Sequence, residues 1–252
     1  PGPPGGSWYW ARAGVRDGAG AAVVYARYAR TGPGPLEVSW RGNALARFRP
    51  GRFGRPWSLT PLPSSAGVSW GAWLERRGGR TYIYGTERAP SGGQYLHLAR
   101  VDGPDLRRPW SYRTAGGWSA RERASARLAA DGGPLLTSDE LSVVRHGSWY
   151  ALLTQRADRP FSAELRLAWA RTPYGPFTRA RTVYTAPEAG ARGDYRDADV
   201  FAYNPHEHPE LARRGEMVIS YNVNSLDPGD VLRHASIYRP RFLRVTLGPP
   251  GR

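Results

Sequence analysis

The chain has 252 residues, enough for one all-β domain with a sizeable core, and its 31 Gly and 23 Pro are spread among aromatic and β-branched runs, which excludes a disordered Pro/Gly segment. All 36 basic residues are Arg and the formal charge is +15, but they are scattered, with no basic helix or tail, so the charge reads as a solvated surface and no nucleic-acid partner is expected. The absence of Cys excludes disulfides and thiol chemistry, and no apolar run is long enough to span a membrane.

In chain order, residues 1–6 (PGPPGG) read as a linker or truncated edge, 7–247 as one domain, and 248–252 as a tail. Strand-like runs recur between turn signals. Residues 7–63 offer SWYWARAG, AAVVYARYART, LEVSWRGNALARF and PWSLTPLP; residues 66–115 offer GVSWGAWLE, RTYIYGTE, QYLHLARVDG and PWSYRT. A further set in 137–186 holds TSDELSVVRHG, SWYALLTQ, AELRLAWARTPYGPF and TVYTAP, and 199–247 holds DVFAYN, EMVISYNVNS, ASIYRP and RFLRVTL. Between the second and third sets, Ser119–Ala130 has the Ala and Arg content of a short helix, ended by Gly132-Gly133-Pro134.

The second and third sets share a plan. Each begins with strand, Gly turn, strand, and each reaches a Pro-aromatic pair, Pro109-Trp110 or Pro176-Phe177, ahead of an outer strand. A Pro there suits an edge strand, where its missing N–H costs no ladder bond. Four-stranded units repeating at this period are the sign of β-propeller blades; a two-sheet β-sandwich is the alternative. The expected class is all-β, a β-propeller with about four visible blades and very little helix.

From about Arg41 to Leu247 the sequence resembles a family of secreted actinobacterial proteins related to the endo-D-arabinanases among glycoside hydrolases. The resemblance is carried by WRGNALARF, LPSSAGVSWGAWL, TYIYGTE, YLHLARV, ELSVVRHGSWYALLTQ, TPYGPF, YNPHEHPEL, SYNVNS and IYRPRF, in that order and spacing. It implies a five-bladed propeller, secreted or at the cell surface, that cleaves arabinofuranosidic bonds. Family members open with a Gly-Asp-Thr-type segment that this sequence does not show, so the first blade is read as absent.

Glycosidic cleavage needs two carboxyl groups, one as acid and the other as nucleophile or base. Asp139 and Glu140 enter the third blade as neighbours on a strand and so point to opposite faces. Glu140 is the acid/base candidate and Asp139 the lesser one; Glu87 and Asp199 are candidates for a second carboxylate. His206 and His208 lie in the densest polar motif, and Pro205 and Pro209 disturb the strand that would align them as metal ligands with Glu210; the reading takes them as sugar-site residues and expects no metal and no cofactor. Asn222 and Asn224 share a strand face and their amides suit vicinal hydroxyls. Trp70 is a candidate to stack on a sugar ring. The expected partner is a polysaccharide or oligosaccharide such as D-arabinan. A propeller that binds carbohydrate without cleaving it, or an incomplete piece of the enzyme, is the alternative.

Overall fold

The computed structural model describes residues 5–18, 20–34, 37–52 and 54–247; the expected tail at 248–252 and most of the expected linker lie outside them. The described chain is all-β, in four antiparallel blades of the β-propeller type, and it divides into two compact units. Unit 1 takes residues 1–87 and 96–128, and unit 2 takes 88–95 and 129–252.

In unit 1, the first blade is the meander Ser7–Asp17, Gly20–Arg30, Val38–Phe48 and Ser58–Leu62. Alternation sets its faces: Ala22, Val24 and Ala26 are wholly buried on one side of the second strand while their neighbours are partly exposed, as a period of two requires. The second blade begins with Ser69–Arg77 and Arg80–Arg88 and continues through Gln94–Asp102 to Ser111–Arg113. Asn43 ties the first blade to the second. Its Nδ2 donates to the carbonyls of Pro63 and Val68 at 2.7 and 2.9 Å, and its Oδ1 accepts from the Trp70 N–H at 3.1 Å. Gly71 follows in a bulge at φ +85°, where a Cβ would lie 2.6 Å from the Val24 side chain. Only glycine holds that conformation at that approach.

In unit 2, the third blade is Ser142–His146, Trp149–Gln155, Glu164–Ala170 and Arg181–Thr185. Its first hairpin closes over Gly147-Ser148, with Gly147 at φ +61°, the left-handed conformation that two-residue loops demand of their first position. The fourth blade has three strands, Val200–Glu207, Glu216–Ser225 and Pro240–Thr246. Their buried face joins the third blade's in one core around Leu153, Leu165, Ile219 and Tyr221.

Two local expectations are corrected. ASIYRP is no strand: residues 228–233 before it form the helix Pro228–Arg233, and Ile237 and Arg239 donate in tight turns. The Asp227 side chain accepts from the Gly229 N–H at 2.8 Å, and Pro228 opens the first turn, so cap and proline start a helix where a strand was read. Conversely, the helix expected over Ser119–Ala130 shrinks to one 3₁₀ turn, Glu122–Ala124. Its side chains are committed to tertiary partners rather than to a helical face.

Candidate functional site

Asp139 and Glu140 lie in a bend ahead of Ser142–His146, not on the strand, so the argument that they face opposite ways does not hold. Ser138 pins this bend. Its N–H donates to Thr154 Oγ1 at 2.9 Å, its hydroxyl donates to the Glu140 carbonyl, and it accepts from the Gln155 N–H at 3.1 Å. Glu140 is half-buried, and its charge reaches the Tyr203 phenol. That phenol is raised above its ordinary pKa by burial first, then by Tyr238 and Glu140, with the Asn222 amide bonded to it in opposition. Tyr203 therefore remains a neutral hydroxyl donor near neutral pH. Tyr203 and Asn222 are paired across the fourth blade and line a recess of about 140 Å³ with Val223, Tyr238, Arg239 and Pro240. A carboxylate, a phenol and an amide grouped this way offer both acceptors and donors to vicinal hydroxyls.

Asn224 stands opposite Phe201 and its Oδ1 accepts from the Ser225 N–H at 2.9 Å. His206 is half-buried opposite Ser220. His208 lies beyond the strand's end, its Nε2 2.8 Å from Ser220 Oγ, its Nδ1 3.3 Å from Glu210 Oε1, and its ring against Phe242. A bulge at Asn204, whose φ is +58°, lies between it and Tyr203.

Asp199 belongs to an acidic group with Asp197 and Asp230, whose nearest carboxylate oxygens lie within 4.8 Å of one another. Asp197 accepts from the Asp199 N–H at 2.9 Å, and Asp230 is bonded to Ser225 and Arg233. These bonds make the group the anchor of the loop and of helix Pro228–Arg233.

In unit 1, Trp70 is corrected from a sugar-stacking residue to a core one. It is wholly buried, packed against Trp110 and Tyr112, and its Nε1 donates to Glu122 at 2.9 Å. Glu87 accepts two bonds from the Arg127 guanidinium, both 2.9 Å, and lies 2.9 Å from His97 Nε2. Arg127 first, and His97 after it, hold the Glu87 carboxyl down at about 2 against the cost of burial. Glu87 is therefore ionised at neutral pH and cannot serve as a proton donor. His97 Nδ1 is 3.0 Å from Ser125 Oγ, so hydroxyl, imidazole and carboxylate lie in line, although Arg127 neutralises the carboxylate that would polarise the imidazole. Burial pushes His97 below its ordinary pKa, with Glu87 acting against that.

Sequence reasoning passed over His97, Ser125 and Arg127. The one signal was a histidine flanked by leucines in a strand, QYLHLARV, whose buried ring needs polar partners. It also passed over Glu188, a buried carboxylate that accepts from the Tyr221 hydroxyl at 2.9 Å and from Arg241 Nε at 2.8 Å.

Four blades of antiparallel strands define a protein of the β-propeller class. The chain belongs to the family described as Domain of unknown function (DUF5005), whose profile matches residues 3–247. No curated protein sequence matches it. Among solved structures it is similar to a candidate hydrolase from Bacteroides ovatus, at 23% identity and a TM-score of 0.75, over 94% of this chain and 61% of that one. The chain thus spans about three fifths of that relative. It is more distantly similar to an α-L-arabinanase from Cellvibrio cellulosa complexed with arabinohexaose, at 11% identity, a TM-score of 0.47, and 96% and 75% coverage. A GH43_1 enzyme from Xanthomonas citri complexed with xylose gives 14% identity, a TM-score of 0.39, and 95% and 87% coverage.

Proposed function

We propose that the protein is a secreted glycoside hydrolase-like propeller acting on a furanoside-containing polysaccharide such as D-arabinan, with Glu140 as its acid/base residue. The observation that supports this reading is the bend, pinned by three Ser138 hydrogen bonds, that holds Glu140 at the entry to the third blade, with an open recess lined by Tyr203 and Asn222 in the fourth blade. A carboxylate held by a pinned bend can exchange a proton, and a phenol and an amide lining a recess can bind vicinal hydroxyls. The resemblance to the endo-D-arabinanase relatives supplies the substrate class. Asp139, Asn224, His206 and His208 are assigned supporting roles in holding the glycan, and Asp199 remains the proposed source of a second carboxylate.

A binding role without cleavage is the second reading, and one observation favours it. Glu87, Glu188 and Glu207 are each bonded to a cation or imidazole that holds the fold together, which leaves fewer carboxylates for the second catalytic role. Glu140→Gln separates the two readings. Gln keeps the shape but cannot exchange the proton. Release of reducing ends from D-arabinan by the native chain, lost in Glu140→Gln with glycan binding retained, is expected under the first. Binding by both proteins and turnover by neither establishes the second, and unchanged turnover removes Glu140 from the mechanism.

A further inference from the structure

Unit 2 holds a larger cleft away from Glu140. It has a volume of about 720 Å³ and lies between the hairpin at Gly147 and the loop before Glu216. Asn222, beside the Glu140 group, and Glu216, at the rim of this cleft, are six residues apart on one strand, a separation of about 20 Å. The two are distinct sites.

Two indoles and an imidazole, Trp149, Trp169 and His146, line the cleft, and three guanidiniums, Arg145, Arg213 and Arg214, stand around it. The aromatic part is rigidly built. Arg171 lies 3.6 Å from the centroid of the Trp149 ring and donates to Ser148 Oγ at 2.9 Å. His146 packs edge-on to Trp169, and its Nε2 is 2.7 Å from Oε1 of the wholly buried Glu207 side chain. The other Glu207 oxygen, Oε2, is buried with no hydrogen-bond partner among the described residues. The Nε2–Oε1 bond fixes the ring's orientation from behind.

The charged part is open by contrast. Arg213 and Arg214 are exposed in a loop, and neither they nor Arg145 form an ion pair among the described residues; Glu216, the acid at the rim, is bridged to Arg244 at 3.3 Å. Unpaired guanidiniums beside a fixed aromatic wall combine two recognition chemistries. The guanidinium fork binds a carboxylate or sulfate through two parallel bonds, and the aromatic faces pack on the C–H faces of a sugar ring.

We infer that this cleft is a second carbohydrate site, selective for oligosaccharides that carry an anionic group. A neutral arabinan chain would use the aromatic wall alone and leave the three guanidiniums unmatched, so the cleft is built for a different glycan from the one assigned to the Glu140 group.

The test is calorimetric titration of the full chain with four probes: a short oligogalacturonate, a sulfated oligosaccharide of similar length, a neutral arabino-oligosaccharide and duplex DNA. Binding of one or both anionic saccharides, with the neutral saccharide at least tenfold weaker at this site, is expected; which anionic probe binds more tightly identifies carboxylate or sulfate as the preferred group. The double substitution Arg213→Ala/Arg214→Ala, in an exposed loop, should weaken the anionic saccharide at least tenfold while thermal unfolding stays unchanged. The same titration with Glu140→Gln should match the native chain, so failure of the hydrolase reading leaves this result intact. The inference is overturned if no anionic saccharide binds, if the double substitution leaves affinity unaltered, or if DNA binds as tightly and loses as much, since charge alone would then explain the cleft.

Discussion

Glu122 offers the sharpest test of how unit 1 is held together. Its carboxylate accepts three bonds, from Trp70 Nε1 at 2.9 Å and from the N–H and hydroxyl of Ser65, both at 2.7 Å. Replacing it with Ala strands these donors unequally. Ser65 is exposed and can turn to water, whereas the Trp70 indole is wholly buried and cannot. A bond to a charged acceptor contributes about 1.5–3 kcal/mol, and a buried donor left unmet costs about 1–3 kcal/mol. Together these give a loss of about 3–5 kcal/mol, a large part of the 5–15 kcal/mol typical of a folded domain. At about 2–4 °C per kcal/mol for a chain of this size, the midpoint should fall by about 6–20 °C. Urea titration followed by tryptophan fluorescence reads the change directly. Glu122→Gln should cost less, about 1–2 kcal/mol, because its carbonyl can still accept from Trp70 while its amide opposes the Ser65 donors. A loss below about 1 kcal/mol in Glu122→Ala would refute the claim that this carboxylate links the Ser65 loop to the second blade's core.

Gly71→Ala should destabilise unit 1 by about 2–5 kcal/mol in the same titration, the sum of left-handed backbone strain and overpacking against Val24; a change within about 0.5 kcal/mol would contradict the bulge. Stability should fall on the acid side. The Glu87 carboxyl drops from 4.5 to about 2 in the folded chain, so its contribution is complete above pH 4.5 and disappears as pH falls toward 2. His97, lowered by burial, acts in the same direction, because below its ordinary value the unfolded chain takes up a proton that the folded chain resists. Arg127→Gln should therefore move the acid limb of the unfolding curve to higher pH, measured by fluorescence across pH 2–7, and an unmoved limb would dissociate Arg127 from the Glu87 carboxyl.

Much of this molecule was legible along the chain because a blade is a local object. Hairpins join neighbours in sequence, so alternation in AAVVYARYAR, the Gly turn at Gly147 and the Pro-aromatic pairs mark strands and their limits without reference to anything distant. The all-β class follows from the sequence by itself, as does the placement of most strands. Local signals failed where distant partners decide. SARERASARLAA has helical composition, but Glu122 answers to Trp70 and Ser65, and Arg127 to Glu87, forty residues away; those bonds hold the segment extended. Trp70 has the residue type of a sugar platform, and only packing against Trp110 and Tyr112 shows it to be core. Glu140 was found from its position at a blade entry, while the Tyr203 and Asn222 that line the recess come from another blade. The guanidiniums of Arg145, Arg213 and Arg214 are scattered through a chain that is Arg-rich everywhere. Composition has no means of distinguishing them from solvated neighbours, because a binding site is a juxtaposition and juxtaposition across strands is set by the tertiary fold.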